Sequence, residues 1–318
     1  MEARFFERAL ELAERGRGTT HPNPIVGAVV VQGDEVVGEG WHERKGGPHA
    51  EIAALQAAGE RVRGSTVYVT LEPCAHHGAT PPCADALVEA GVARVVVGQV
   101  DPHPKHGGGL NRLREAGIEV ELAEDSLAFR CRQQIEEWRT WVALGRPFVT
   151  YKVAVTLDGR VTVPGSRWVT GEGSRRLVHV LRAQSDAVAV GMGTVRWDNP
   201  RLDARDVTVL RQPRRLAFGK GPLPEGSELE LRSGPLDEEL EALGADGVQS
   251  LLLEGGPTLA AAFLEQGLVD KLLVFVAPTL SGEGPGMLAG LPQPLSLRRL
   301  EARIVGEDIL LQGYVHEP

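Results

Sequence analysis

Apolar residues recur at Phe6, Leu10 and Ala13, a helical spacing that Gly16 ends. Ile25 to Val31 is a continuous, β-branched run, turned by Gly33-Asp34-Glu35 into Val36-Val37, and it predicts a strand hairpin. A short helix is expected from about His49, a strand over Thr66–Leu71 and a helix over Pro82–Ala90. Strands are expected over Arg94–Val97 and Ile118–Leu122. Alternation of strand and helix after an opening hairpin is the pattern of a layered α/β domain. One long helix is expected over Asp125–Leu144, broken by Gly145-Arg146-Pro147. The domain boundary is placed there, giving regions 1–145 and 146–318.

The second region alternates again. Strands are expected over Phe148–Val155, Ala187–Val190, Arg215–Phe218, Val248–Leu253 and Lys271–Val276, with a terminal hairpin. Helices are expected near Ser174–Ala183, near Leu236–Leu243 and from Pro257. Residues 219 to 235 are rich in Gly and Pro and read as loop.

Composition narrows the class. The chain has 318 residues, 42% of them hydrophobic, enough for two cores. Lys and Arg number 34 against 43 Asp and Glu, a net charge of -9. That balance repels polyanions, so neither nucleic acid nor an anionic membrane is expected as partner. Three cysteines are too few for a disulfide scaffold. The N-terminal segment is charged from Glu2 onward and lacks a signal-peptide core. No apolar run approaches the roughly 18 to 20 residues of a membrane span. The expectation is a soluble protein in the reducing cytoplasm.

The chemistry-bearing signal of the first region is His49-Ala50-Glu51, then Pro73-Cys74, then Cys83. One His and two Cys are catalytic zinc ligands that leave a fourth position to water. Glu51, two residues after His49, reaches that water without being a ligand. The helix after Cys83 favours its thiolate. The order H-x-E, P-C, C is a zinc-deaminase signature. His76 or His77 as a fourth protein ligand would instead close a structural site. Cys131 reads as a packing residue.

Longer motifs carry a resemblance. Thr20 to Gly27 (T-x-H-P-N-P-x-V-G), Pro48 to Glu51 (P-H-A-E) and Leu71 to Cys83 (L-E-P-C-A-H-H-G-A-T-P-P-C) resemble the deaminase of riboflavin biosynthesis. The whole chain is similar to the bifunctional deaminase–reductases of that pathway. The resemblance implies a cytidine-deaminase-like α/β/α layered domain followed by a dihydrofolate-reductase-like α/β domain. It implies a small-molecule substrate, a diaminohydroxypyrimidine carrying a phosphoribosylamino group. Zinc lowers the pKa of a bound water toward about 7, and Glu51 moves its protons. The resemblance places Asn23, His42, His76 and Asp101 around the substrate. His103 stands where relatives commonly show Asn.

The second region lacks G-x-G-x-x-G after its first strand. Gly255-Gly256-Pro257-Thr258 follows an apolar strand and opens a helix, a place where backbone approaches phosphate. Gly191 and Gly193 form a second such loop. Lys152 to Arg160, Ser166 to Thr170, Leu181 to Ser185, Gly191 to Val195, Asp198 to Pro200 and Leu253 to Thr258 together resemble the reductase of the same pathway. That resemblance implies NADPH, with Ala154, Trp168, Thr194, Asp198, Gly256, Pro257 and Thr258 as cofactor contacts. Ser166, Arg182, Leu202, Arg205 and Glu254 are implied as substrate contacts. Arg182 and Arg205 suit a phosphate clamp, since guanidinium binds phosphate through paired hydrogen bonds. Lys152 is expected at the ribose. Gly219-Lys220 stands where relatives often show Asp-Ser. A homodimer is implied, with the reductase regions as interface. The competing readings are a cytidine or tRNA-adenosine deaminase with an accessory second half, and a zinc-stapled nucleotide-binding module without activity. The long Cys74 to Cys83 spacing and the acidic balance disfavour the first of these, and Glu51 disfavours the second.

Overall fold

A computed structural model describes residues 3–76, 81–103 and 107–318. The chain divides into two compact units, Met1–Leu144 and Gly145–Glu317.

The first unit runs α1 (Ala3–Glu14), β1 (Gly27–Gln32), β2 (Glu35–Trp41), α2 (Ala50–Ala58), β3 (Thr66–Val69), α3 (Cys83–Ala90), β4 (Arg94–Val97), α4 (Gly109–Glu115), β5 (Glu119–Leu122), α5 (Asp125–Gln134) and α6 (Glu136–Leu144). Its sheet has the order β2-β1-β3-β4-β5. β1 is antiparallel to β2 and β3, and β3, β4 and β5 are parallel. Alternation along β1 sends Ala28 and Val30 to a core with α2, α3 and α4. Val29 and Val31 go to the opposite core with Phe5, Phe6, Ala9 and Leu10 of α1. Helices therefore cover both faces. Two glycines let them sit close. A Cβ on Gly27 would stand 1.9 Å from the Ala9 carbonyl, and one on Gly40 would stand 2.3 Å from the Ala54 amide.

The second unit runs β6 (Phe148–Thr156), α7 (Glu172–Gln184), β7 (Ala187–Gly191), α8 (Met192–Asp198), β8 (Arg214–Phe218), β9 (Glu230–Arg232), α9 (Leu236–Ala245), β10 (Ser250–Leu253), α10 (Pro257–Glu265), β11 (Lys271–Ala277), β12 (Arg298–Val305) and β13 (Asp308–Tyr314). The sheet order is β12-β13-β11-β6-β10-β7-β8-β9. From β11 to β9 the strands are parallel, and the β12–β13 hairpin closes one side antiparallel. The parallel strands are apolar on both faces because both are covered. α9 and α10 cover one face through Leu240, Leu243, Ala260 and Phe263. α7 covers the other through Leu177, Val178 and Leu181.

Four local features differ from the sequence reading. The single helix expected over Asp125–Leu144 is interrupted at Ile135, which has φ -127°. There the Gln134 carbonyl accepts a hydrogen bond from Arg17, and the Gln134 side chain donates to the Leu10 carbonyl. The break lets Ile135 and Trp138 join Ala13, Ile25 and Leu71 in a separate core. α4 forms in a stretch where no helix was expected, with Leu110 and Leu113 buried at one-turn spacing. α8 follows Gly191 directly, where a glycine loop was expected. Within residues 219 to 235, Glu230–Arg232 pairs with β8 as an edge strand.

Candidate active sites

Helix ends assemble the first site. His49 is the N-cap residue of α2, Glu51 lies in its first turn, and Cys83 opens α3. Cys74 arrives on the loop after β3. The His49 Nδ1 lies 3.2 Å from Cys83 Sγ and 3.7 Å from Cys74 Sγ. The donor atoms of the three residues all fall within 4.8 Å of one another. The Cys83 N–H, first of α3, donates to Cys74 Sγ at 3.3 Å. The Cys74 thiol is drawn well below its usual range, first by the Cys83 thiol and then by His49 and that amide, against burial. Cys83 is pushed up, first by Cys74 and then by burial. One soft nitrogen and two sulfurs, one already primed as thiolate, fit a zinc ion. Among the described residues the donor group holds three members, and His76 is not one of them. His77, the other rival for a fourth ligand, lies outside the described residues.

Glu51 is 4% exposed, and burial pushes its carboxyl up to about 7, with His49 opposing. That places a proton carrier beside the donor cluster. His42 is also buried. Its Nδ1–H donates to the Pro48 carbonyl at 2.9 Å, and Asn23 Nδ2 donates to its Nε2 at 3.3 Å. This pairing needs the neutral ring, and burial lowers its pKa. His42 packs edge-on against His49 at 5.5 Å, so Asn23, His42 and the cluster form one wall. Asp101 lies on the loop after β4, where burial raises its carboxyl. Its Oδ1 accepts from the His103 N–H at 2.8 Å. Glu72 was not singled out from the sequence, yet it organises this region. Its carboxylate accepts from the N–H groups of Asp101, Gly108 and Leu110 at 3.1, 2.9 and 3.1 Å. Its position two residues before Cys74 was the available signal.

The second unit holds a cavity of about 940 Å³ along the ends of the parallel strands. Lys152, Ala154, Trp168, Arg182, Thr194, Asp198, Arg205, Glu254, Gly256, Pro257 and Thr258 line it, all of them expected from the sequence. Ser166 and Leu202 are not on its wall. The Ser166 hydroxyl bonds the Trp168 backbone. The Leu202 side chain is buried against Val188, Val190 and Met192, so a ligand would meet it through its main chain, at φ 54°.

The charged centre differs from a two-arginine clamp. Arg182 Nε and Nη2 grip the Glu254 carboxylate at 2.6 and 3.0 Å, and its Nη1 donates to the Asp203 carbonyl at 3.2 Å. Its fork is therefore filled by protein. Lys152 Nζ stands 3.8 Å from Glu254 Oε2. Burial alone would raise Glu254, but Lys152 and Arg182 outweigh it and hold the carboxyl below its usual value. Burial lowers Lys152. Arg205 pairs with Asp203 at 2.7 Å and keeps a 44% exposed side chain. His179, missed in the sequence, also lines the wall one helical turn before Arg182.

A buried glutamate beside a His–Cys–Cys cluster, and a separate cavity floored by an ion-paired glutamate, define a deaminase joined to a reductase. Residues 1–99 match the family described as the cytidine and deoxycytidylate deaminase zinc-binding region, and residues 147–225 and 227–311 match the RibD C-terminal domain. The riboflavin biosynthesis protein RibD of Aquifex aeolicus is 38% identical over 98% of each chain. A solved structure of Acinetobacter baumannii RibD superposes with TM-score 0.84 at 37% identity, covering 98% of both chains. A Thermotoga maritima structure, a diaminohydroxyphosphoribosylaminopyrimidine deaminase/5-amino-6-(5-phosphoribosylamino)uracil reductase, superposes with TM-score 0.82 at 33% identity, covering 98% of this chain and 97% of that one. The chain belongs to the RibD family of riboflavin-biosynthesis deaminase–reductases. The first unit is cytidine-deaminase-like and the second has the dihydrofolate-reductase-like fold of RibD reductases. Zinc and NADPH are the cofactors of this domain pair.

Proposed function

We propose that residues 1–145 hydrolyse the ring amine of 2,5-diamino-6-(5-phosphoribosylamino)pyrimidin-4-one, and that residues 146–318 then reduce its ribosyl group to ribityl. The product is 5-amino-6-(5-phosphoribitylamino)uracil. The observation that carries the first step is the His49, Cys74 and Cys83 cluster with buried Glu51 beside it. Zinc held by these three residues supplies an acidified water as nucleophile. Glu51 would take a proton from that water and pass it to the ring nitrogen, then take the second from the added hydroxyl and pass it to the departing ammonia as the carbon–nitrogen bond breaks. Asn23 and neutral His42 hold the ring, with His76 and Asp101 on the remaining sides.

In the second unit NADPH supplies the hydride that reaches ribose C1. Ala154, Trp168, Thr194, Asp198 and the Gly256-Pro257-Thr258 turn would hold the cofactor, the start of α10 offering backbone amides suited to a phosphate. Lys152 and Glu254 contact the ribose and favour its open form. Arg205 takes the phosphate, and Arg182 keeps Glu254 charged and oriented. An assay of the full chain that follows ammonia release, NADPH consumption and zinc content together tests the reading. Ammonia release without NADPH consumption would remove the second half of it.

The chain works as a homodimer through the reductase unit. β12 is an edge strand whose Leu300 and Ile304 are 64% and 79% exposed, and such an edge needs cover. An Ile304→Arg substitution should leave monomers in sedimentation. The compartment is the cytoplasm, where Cys74 and Cys83 stay reduced for the metal.

A further inference from the structure

The loop after β4 carries Asp101, and one peptide of that loop is held at both ends. Its N–H, on Asp101, donates to Glu72 Oε2 at 3.1 Å. Its carbonyl, on Val100, accepts from Arg139 Nη1 of α6 at 3.2 Å. An anion and a cation thus grip opposite sides of one peptide plane. A planar peptide fixed at both its donor and its acceptor cannot rotate about the chain, so the Cα at its end is fixed as well. That Cα belongs to Asp101.

The same Arg139 Nη1 donates to Gln99 Oε1 at 2.7 Å. Gln99 is 4% exposed, and its side-chain amide donates to the Cys131 and Thr70 carbonyls at 2.6 and 3.3 Å. Its own carbonyl accepts from the Glu72 N–H at 2.9 Å. One guanidinium therefore ties two successive residues, 99 and 100, to α6, whose Trp138 is buried in a core with Ala13, Ile25 and Leu71.

Arg139 is unfavourable where it stands. Its Nε–H is sealed from solvent without a hydrogen-bond partner. Among the described residues no carboxylate lies within ion-pair distance of it. Burial pulls the guanidinium down to about 10, Arg132 adds to this, and the Asp101 charge opposes it. An apolar side chain would fill the same space with less penalty, so packing alone does not account for a cation here. The acid that favours its charge is the one whose backbone it holds.

We propose that Arg139 is a positioning residue of the deaminase: with Glu72 it fixes the Val100–Asp101 peptide and so aims the Asp101 carboxylate at the pyrimidine substrate. The proposal rests on the reading of Asp101 as a substrate contact and adds the group that holds it in place. Arg139 acts through Asp101, its Nη1 being taken up by Gln99 and Val100.

The test measures steady-state deamination by the full chain, with NADPH oxidation on the aminouracil substrate as a control in the same molecule. Arg139→Met keeps the reach of the side chain and removes its charge and donors. It should raise deaminase KM by about 10-fold, the size of one hydrogen bond to a charged group, and change kcat by less than about twofold. Zinc content and the reductase rate should stay as in the wild type. Asp101→Ala should raise KM by a larger factor. Adding Arg139→Met to it should change KM by less than about twofold, because the positioned group is gone. A merely structural arginine would give the same factor in both backgrounds. If Arg139→Met fails to fold, Arg139→Lys carries the same cycle, with a KM rise of about threefold that vanishes beside Asp101→Ala. An unchanged KM in Arg139→Met, or a factor that persists undiminished beside Asp101→Ala, overturns the positioning role. An unchanged KM in Asp101→Ala overturns the reading of Asp101 as a substrate contact, and the role of Arg139 with it.

Discussion

Glu51 and Glu254 are both shielded from solvent, one in each unit, and their surroundings drive them in opposite directions. Burial dominates at Glu51 and lifts its carboxyl to about 7. At Glu254 burial acts in the same sense, but Lys152 and Arg182 overcome it and keep the carboxylate charged. The first residue is suited to exchanging protons near neutrality, the second to holding a fixed negative charge. One side chain therefore serves as carrier or as anchor according to whether cations stand within reach. The contrast extends to the sites. Three donors within 4.8 Å, two at helix ends and one on a loop, build the first, whereas the second is an open cavity of about 940 Å³.

The sharpest way to break the contrast is Glu51→Gln. It should lower deaminase kcat by about 10³-fold while zinc content stays at one per chain and NADPH oxidation on the aminouracil substrate is unchanged. Deaminase activity that survives would show that the proton carrier lies elsewhere.

Glu254→Gln should reduce reductase kcat/KM by about 10²-fold and destabilise the second unit by roughly 3 kcal/mol, because Arg182 and Lys152 lose their buried counter-charge. The pH sense follows from the direction of the shift. A carboxyl lowered by folding stabilises the fold above its ordinary range and loses that contribution as pH falls through the folded value. The gap between wild type and Glu254→Gln in denaturant unfolding should therefore close on acidification below about pH 4. Lys152 acts the other way. Its folded pKa is lowered, so its burial penalty is present at neutral and acid pH and fades only as pH rises toward the ordinary lysine range. A gap that is constant with pH would mean Glu254 is no charged anchor.

Gly109→Ala tests whether the metal cluster depends on backbone that carries no ligand. The added Cβ would stand 1.8 Å from the Pro73 carbonyl, so the segment leading into Cys74 must move. Zinc affinity, measured by competition with a chelator, should fall by about 10-fold with no ligand altered. An unchanged affinity would show that the Cys74 loop adapts freely. The smallest effect is expected at Cys131, which is buried and has its thiol pushed up to about 12 by burial. Cys131→Ala should lower stability by about 1 kcal/mol and leave zinc stoichiometry and both activities in place.

Sequence legibility follows the same division. The zinc ligands were readable because soft donors in a fixed order are scarce in a chain with three cysteines and nine histidines. The reductase contacts came from motif resemblance, and the fate of Arg182 did not. With 34 basic residues, the chain does not announce which guanidinium is already bound to Glu254, since that pair is 72 positions apart. Main strands and helices followed from apolar runs. The interruption at Ile135 was hidden because the groups that meet the chain there, the Arg17 guanidinium on the Gln134 carbonyl and the Leu10 carbonyl on the Gln134 side chain, lie more than 100 positions upstream. α8 was hidden for another reason: Gly-Met-Gly reads locally as a loop, and only packing of Met192 and Val195 against the sheet makes it helical.

The Glu72 carboxylate also sets a timescale. Three amides at positions 101, 108 and 110 share this one acceptor, so they are protected from solvent exchange together and must open together. In a hydrogen-exchange experiment they should behave as one kinetic unit, and truncating a single side chain two residues from Cys74 should release all three protons at once. The backbone from Asp101 and from Gly108 to Leu110 would thus keep its shape for as long as the Glu72 carboxylate keeps its grip.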